Sequence, residues 1–344
     1  AGLNNFNAGL LGSSMAAILL LFAVPVTLLG IVTPFAIRLS LRDVEGSGEV
    51  AGRISALSTT GSILGSFLPV LFLIPTLGTQ RTFALLSAAL LLVALIGLLG
   101  QRQRLDALLV VLAMGLVLWL GFRPTGPLKD TPGLVYENES AFNYIQVLDL
   151  GVERQLRLNE GEGIHSVYRP AGGLADGIWD FFLLAPAFNP APYAPGQVQR
   201  VGIVGLAAGT MAHLYTEAYG PVQIEGAELD PAIIDAGREW FAMTLPNLTA
   251  YPVDGRRFLA YPQDAQSKYD VIAVDAYRPP YIPFHLTTVE FFELARDRLS
   301  ENGVVAVNVG RTSDDYSLVD ALAATMQAVF PSVYIVDAPD GPLE

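Results

Sequence analysis

The chain has 344 residues, of which 52% are hydrophobic and only 15% are charged, so it is too apolar for an ordinary soluble protein. Its net charge of −13 disfavours nucleic-acid binding, and the absence of cysteine excludes disulfides and thiolate metal sites. Its three histidines are scattered and show no spacing typical of metal ligands, so no metal site is expected.

The N-terminal third carries most of the apolar residues. Crossing the hydrocarbon core of a bilayer requires about 20 apolar residues in a helix. Four stretches meet this requirement, and none has a charged residue in its central part: Leu10–Ile37, Ile54–Leu77, Thr82–Gly100 and Leu105–Phe122. We therefore predict an α-helical transmembrane domain over residues 1–122. Because the chain begins at Ala1 rather than Met, a processed or truncated start with further helices upstream is an open alternative.

The basic residues between the predicted spans indicate the orientation. One side carries Arg38, Arg42, Arg53, Arg102 and Arg104, and the other carries Arg81, Arg123 and Lys129. Cytoplasmic loops of membrane proteins carry an excess of Lys and Arg. The count therefore favours, by a narrow margin, an extracytoplasmic position for the acidic C-terminal part.

From about Gly133 the hydrophobic period changes to two residues. Leu134–Tyr136, Tyr144–Leu150 and Gln155–Asn159 alternate between apolar and polar residues, which predicts a small antiparallel β subdomain over residues 133–168. A helix over about Leu174–Phe188 and a Pro-rich linker are expected to follow.

Strands and helices then alternate to the end of the chain. The predicted strands are apolar and rich in β-branched residues: Val198–Val204, Val222–Leu229, Leu248–Val253, Tyr269–Ala276 and Gly303–Val309. This pattern is typical of a parallel sheet that is covered by helices on both faces, so residues 169–344 are predicted to form an α/β Rossmann-like domain. Ligands of such sheets bind at the carboxyl ends of the strands.

Glycines and carboxylates lie at these predicted strand ends. Gly205 and Gly209 flank the turn after the first strand, where they permit a close approach to a ligand, although a plain tight turn explains them equally well. Glu228 ends the second strand, where a carboxylate can bind the ribose hydroxyls of a nucleoside. Asp254 and Asp275 follow the next two strands and predict an adenine contact and a catalytic group, respectively.

Six stretches in this order resemble the spermidine synthase (polyamine aminopropyltransferase) family, and in particular its bacterial membrane-fused members. They are Glu139-Ser-Ala-Phe-Asn-Tyr-Ile-Gln146, Gly205-Leu-Ala-Ala-Gly209, Glu228-Leu-Asp230-Pro231, Val253-Asp-Gly255, Tyr269-Asp-Val-Ile-Ala-Val-Asp275 and Leu286-Thr-Thr-Val-Glu-Phe-Phe292. The resemblance covers about residues 136–309 and implies a methyltransferase-like or spermidine synthase-like fold in a multi-pass protein of the bacterial inner membrane.

The resemblance also implies roles for the strand-end residues. Gly205 and Gly209 would hold the amino-acid-derived chain of decarboxylated S-adenosylmethionine, Glu228 its ribose and Asp254 its adenine. Asp275 would accept the proton of the attacking amine, because a protonated amine cannot act as a nucleophile. No tightly bound cofactor is implied, and the S-adenosyl nucleoside or methylthioadenosine would be substrate or product.

The residues to which the resemblance assigns amine binding depart from the family pattern. Arg278 stands where the enzymes have a second aspartate, Trp179 and Asp180 replace the first two residues of Tyr-His-Glu, and Asn143 replaces a glutamine. A cation at Arg278 would repel a diammonium substrate. The expectation is an altered amine acceptor.

Two functions remain open on the sequence. One is a membrane-anchored transferase that uses an S-adenosyl nucleoside, and the other is a non-catalytic subunit that binds other membrane protein subunits. In both cases the lipid bilayer is a partner and nucleic acid is not. A transporter is disfavoured because no ionisable residue lies in the middle of a predicted span.

Overall fold

The computed structural model describes residues 9–41, 46–124, 126–159, 163–189, 194–262, 268–277, 282–311 and 314–338. Contacts within the chain divide it into two units, Ala1–Leu77 and Gly78–Glu344. The apolar helices that follow residue 78 therefore group with the two sheets rather than with the helices before them.

The first unit is helical. It contains α1 (Gly9–Gly30), α2 (Val32–Ser40), α3 (Ser47–Leu68) and α4 (Ile74–Leu77), and a π-helical segment over Pro69–Leu73 joins α3 to α4. Large apolar side chains along α1 are mostly exposed. A helix with its backbone hydrogen bonds satisfied internally and its apolar side chains outward has the build of a membrane-spanning segment.

The second unit begins with a helical hairpin of α5 (Thr79–Gly100) and α6 (Arg104–Phe122). The two helices approach closely, since a Cβ atom added to Gly121 would lie 2.1 Å from the Cβ of Ala84. Among the described residues, four helical segments are long and apolar enough to cross a membrane: Gly12–Ser40, Ser47–Leu77, Thr79–Gly100 and Arg104–Phe122. They coincide with the four predicted spans, while the crossing itself stays a prediction.

A four-stranded antiparallel sheet follows the hairpin, with the strands in chain order. Its strands are β1 (Leu134–Glu139), β2 (Tyr144–Asp149), β3 (Arg154–Leu158) and β4 (Ile164–Tyr168). The first three strands were predicted from their two-residue period, and β4 was not predicted. Ile145 and Leu156 belong to a buried cluster that also contains Ile233 and Phe241, so this sheet packs against the larger domain.

The larger sheet is parallel and has five strands: β5 (Arg200–Val204), β6 (Gln223–Glu228), β7 (Leu248–Pro252), β8 (Tyr269–Val274) and β9 (Leu299–Val307). Their order is β7-β6-β5-β8-β9. The chain therefore winds outward in both directions from β5, and the direction reverses between β5 and β8. Ligands of such sheets bind outside the carboxyl ends of the strands at this switch point. This is the predicted Rossmann-like fold.

Helices cover both faces of the parallel sheet. They are α7 (Ile178–Phe182), α8 (Thr210–Tyr219), α9 (Pro231–Trp240), α10 (Gly255–Ala260), α11 (Val289–Asp297) and α12 (Ser317–Gln327). One buried cluster joins the sheet to α7, α8 and α9, and a second joins it to α10, α11 and α12.

The predicted helix over Leu174–Phe188 was too long. The structure has only the short α7 there, followed by a 3₁₀ helix over Ala185–Phe188. Pro186 lacks the N–H group that an α-helix would need at this position, so the regular helix ends before it. Helix α10, which has only six residues, was not predicted.

Candidate functional site

The turn after β5 adopts a left-handed backbone. Gly205 has a φ of +90° and Gly209, the N-cap of α8, a φ of +93°. A Cβ atom at Gly205 would lie 2.6 Å from the backbone of Asp275. Glycine is therefore required at this position both for its conformation and for the close contact between the ends of β5 and β8.

Glu228 ends β6 beside this turn. Its Oε2 atom accepts a hydrogen bond from Ala207 N at 3.0 Å, and its Oε1 atom accepts one from Asp230 N, also at 3.0 Å. Burial raises the pKa of the Glu228 carboxyl, and these backbone hydrogen bonds oppose the increase. The structure thus brings the predicted glycine turn and the predicted ribose-binding carboxylate into one site.

Asp254 follows β7 and caps α10. Its Oδ1 atom accepts a hydrogen bond from Arg257 N at 3.0 Å, while its Oδ2 atom lies 2.8 Å from Nε2 of His285. Both side chains are about one-third exposed, at 35% and 36%. His285 was not predicted as a partner of Asp254, because the two residues are 31 positions apart and no spacing links them.

Asp275 lies just beyond β8 and has two side-chain hydrogen-bond donors. Trp179 Nε1 donates to Oδ2 at 3.0 Å, and Asn308 Nδ2 donates to Oδ1 at 2.9 Å. Burial raises the pKa of Asp275 to about 6, and the two hydrogen bonds counteract part of that increase. Asn308 was not predicted, although it follows β9 and the strand-end rule that identified the carboxylates also applies to it.

Asp180, another predicted amine-binding residue, is not among the described hydrogen-bond partners of Asp275. Asp180 accepts hydrogen bonds from Ala175 N at 2.9 Å and Gly177 N at 3.3 Å, so its carboxylate holds the loop at the start of α7. Arg278 lies outside the described residues. Among the described residues that differ from the family's amine-binding residues, Trp179 is the one that forms a hydrogen bond with Asp275.

Asn143 instead lies near Glu228, the predicted ribose-binding residue. Its Nδ2 group donates to Asp230 Oδ2 at 2.9 Å, and its Oδ1 atom accepts from Asn159 at 3.0 Å. Asp230 in turn accepts from Ala232 N at 3.0 Å and is the N-cap of α9. Asn143 is therefore connected to Glu228 through Asp230.

No group of three or more metal-binding side chains occurs within the described ranges. The site is an arrangement of carboxylates, backbone groups and one indole at the edge of the sheet. Such a site can bind a polar ligand beside a proton acceptor.

Residues 201–339 match a protein-family model described as the spermine/spermidine synthase domain. Over 200 residues the chain is 37% identical to a probable polyamine aminopropyl transferase of Bifidobacterium longum. This part of the chain is therefore similar to the spermidine synthase family. A polyamine aminopropyltransferase of Vibrio vulnificus is 32% identical over 148 residues.

These matches cover part of each protein. The first covers 57% of this chain and 42% of the Bifidobacterium protein, and the second covers 43% of this chain and 46% of the Vibrio protein. The chain thus spans less than half the length of either relative. A probable spermidine synthase of Corynebacterium glutamicum aligns with a TM-score of 0.48 and 22% identity, covering 59% of this chain and 72% of that one.

Only some of the predicted site residues lie within the region that matches the spermine/spermidine synthase domain. Glu228, Asp254 and Asp275 lie within the matched residues 201–339, whereas Asn143 and Trp179 precede them. The match to the family model therefore covers the part that holds the predicted nucleoside-binding residues and the predicted acid. The predicted amine-side residues stand outside the matched region, apart from Arg278.

Proposed function

We propose that the chain is a membrane-anchored transferase of the spermidine synthase type. Its donor would be decarboxylated S-adenosylmethionine, and its acceptor an amine other than the diamine used by spermidine synthases. The observation that carries this proposal is the placement of Glu228 beside the Gly205–Gly209 turn, with Asp275 at the end of the adjoining strand β8.

In this reaction the nitrogen of a neutral amine attacks the aminopropyl carbon that is bonded to the sulfonium sulfur. The carbon–sulfur bond breaks, its electron pair stays on sulfur, and methylthioadenosine leaves. The proton released by the amine passes to the carboxylate of Asp275. A pKa of about 6 leaves Asp275 largely ionised at pH 7, where it remains basic enough to accept a proton.

The surroundings of Asp275 support an altered acceptor. The Trp179 indole donates a hydrogen bond to one of its oxygens, and the Asp180 carboxylate is engaged at the start of α7. A diammonium substrate binds best between carboxylates that attract both of its charges. With Asp180 engaged elsewhere, an acceptor with a single amine is the better match.

Anchorage in a membrane is supported by the four apolar helices and by the base of the α5–α6 hairpin. There the Arg123 guanidinium lies 5.3 Å from the Trp119 ring, and the Arg81 guanidinium lies 6.0 Å from the Phe122 ring. Aromatic side chains are enriched at membrane–water interfaces, and arginine side chains near helix ends reach toward the headgroups. The base of the hairpin therefore has the composition of an interfacial layer.

Isothermal titration calorimetry on the full chain in detergent tests the proposal. We expect decarboxylated S-adenosylmethionine and methylthioadenosine to bind, and Glu228→Gln to weaken both by about 10-fold or more, because an amide disrupts a carboxylate that accepts two backbone N–H groups. Glu225→Gln, three residues earlier on β6, is the matched control. If neither nucleoside nor S-adenosylmethionine binds, the proposal is wrong.

A non-catalytic subunit is the competing function, with other membrane protein subunits as its partners. It predicts that the chain purifies in a stable stoichiometric complex and shows no transfer with any amine. A chain that turns over decarboxylated S-adenosylmethionine on its own would contradict it.

A further inference from the structure

The first residue of α5 is bound by a carboxylate from the antiparallel sheet. Glu139, the last residue of β1, accepts a hydrogen bond from Thr79 N through Oε2 at 2.9 Å and from Thr79 Oγ1 through Oε1 at 2.8 Å. The first N–H groups of a helix have no partner within the helix, and its dipole favours a negative charge at that end. Glu139 thus fastens the hairpin to the sheet.

The residue before α5 is adapted to this contact. Gly78 has a φ of +80°, and a Cβ atom there would lie 2.9 Å from Oε2 of Glu139. Any other residue would be strained and would press on the carboxylate. The contact therefore combines a backbone donor, a hydroxyl donor and a glycine that leaves room for both.

The residues that follow Glu139 contact the candidate site. Ser140 Oγ donates to Oδ2 of Asp230 at 2.5 Å, and Asn143 Nδ2 donates to the same oxygen at 2.9 Å. Asp230 N donates to Glu228, and the other oxygen of Glu228 accepts from Ala207 in the glycine turn. An uninterrupted series of bonds thus runs from α5 to the proposed ribose-binding carboxylate.

The turn between β1 and β2 is itself closed by hydrogen bonds. Ser140 N donates to the carbonyl oxygen of Asn143 at 2.8 Å, and Asn143 N donates to Ser140 Oγ at 2.9 Å. A turn held at both ends moves as a unit. Displacement of Glu139 is therefore transmitted to the two side chains that hold Asp230.

We propose that Glu139 is a positioning residue through which the α5–α6 hairpin sets the geometry of the nucleoside site. The inference deepens the proposed function and rests on it for the identity of the ligand. The proposal means that the ligand affinity of the site depends on the position of the apolar hairpin. Among the described contacts, no side chain of the hairpin contacts Glu228. Loss of the Glu139 contact would loosen Asp230 and, through it, Glu228.

Hydrogen–deuterium exchange of the full chain in lipid nanodiscs, without any ligand, tests the coupling. Glu139→Gln replaces an oxygen acceptor by an amide that cannot accept from both donors of Thr79. We expect faster exchange at residues 79–82 and also at the amides of Asp230 and Ala207, which donate to Glu228. Thr79→Val, which keeps the backbone donor and loses the hydroxyl, is expected to give a smaller effect in the same direction.

Glu137→Gln is the matched control. Glu137 lies two residues earlier on β1 and accepts from Leu128 N at 3.0 Å and from the Tyr144 hydroxyl at 2.6 Å, so it anchors the segment after α6 and not the start of α5. Exchange at Asp230 and Ala207 is expected to match the wild type in this variant. Faster exchange in Glu139→Gln confined to residues 79–82 would overturn the proposal.

A binding measurement separates this inference from the proposed function. We expect Glu139→Gln to weaken methylthioadenosine binding about fivefold, which corresponds to roughly one hydrogen bond, while Glu137→Gln stays within about twofold of the wild type. The pH midpoint of transfer, which reports on Asp275, is expected to stay unchanged. A wild-type chain that binds no methylthioadenosine would refute the proposed function, and the exchange experiment would still decide the coupling.

Discussion

Two opposing effects act on the pKa of Asp275. Burial raises its pKa to about 6, while the donors Trp179 and Asn308 favour its charged form. As a proton acceptor it works only when ionised, so kcat/KM for transfer is expected to fall as the pH drops through about 6 and to level off above pH 7. A pH–rate profile that stays flat from about pH 5 to pH 8 would exclude Asp275 as the base.

Trp179 is expected to tune this ionisation. Trp179→Phe removes the indole donor and keeps most of the ring, so the pKa of Asp275 should rise. Transfer at pH 6.5 should then fall about 3- to 10-fold and should largely recover at pH 8.5. Trp240→Phe is the control, since within the described part of the chain the buried Trp240 N–H has no hydrogen-bond partner. Equal loss at both pH values would contradict a role through Asp275.

At the scale of secondary-structure elements, the contact between the ends of β5 and β8 depends on Gly205. Gly205→Ala would suffer both a positive φ and a Cβ that lies 2.6 Å from the Asp275 backbone, whereas Gly220→Ala suffers only the positive φ of +83°. We expect the control to lose about 1 kcal/mol of unfolding free energy and Gly205→Ala to lose at least about 3 kcal/mol. Thermal unfolding in detergent measures the difference, and equal losses would show that the backbone contact is unimportant.

Secondary structure was predictable where its signals are local. The pattern of each predicted strand depends on residues within one element, and the structure has these strands at nearly the predicted places. The predicted helix over Leu174–Phe188 was wrong because its apolar residues are typical of one continuous helix, whereas Pro186 does not allow a regular α-helix to continue. Short elements such as α10 offer too few residues for a periodic pattern to appear.

The site was predictable only in part, for a related reason. Strand-end carboxylates are identified by one topological rule, so Glu228 and Asp275 could be placed at the sheet edge in advance. The hydrogen-bond partners of these carboxylates reach them through the packing of segments that are distant in the sequence. Trp179 and Asp275 are separated by 96 positions, and Glu139 and Thr79 by 60, and no pattern in the sequence links them.

At the scale of the whole molecule, charge is distributed unevenly along the chain. The first 122 residues carry six basic and four acidic residues, and the remainder carries 14 basic and 29 acidic residues. Anionic lipids of the cytoplasmic leaflet repel an acidic domain and attract basic loops. This asymmetry agrees with the predicted orientation, in which the loop that carries Arg102 and Arg104 is cytoplasmic.

Sidedness can be measured cleanly because the chain has no cysteine. Ala218→Cys places one thiol on an exposed residue of α8, and Gln103→Cys places one in the exposed loop between α5 and α6. In right-side-out vesicles, a membrane-impermeant maleimide is expected to label Ala218→Cys at once and Gln103→Cys only after permeabilisation. Labelling of both without permeabilisation would show that the hairpin does not cross the bilayer.

The direction of labelling also bears on the choice between the two functions. S-adenosyl nucleosides are made in the cytoplasm, so a transferase needs its site on that side or a supply across the membrane. The reverse pattern, with Gln103→Cys labelled first, would refute the orientation inferred from the arginines and strengthen the proposed transfer reaction. The expected pattern would instead place Glu228 and Asp275 away from the donor and shift the balance toward a subunit that keeps the synthase fold for binding its partners.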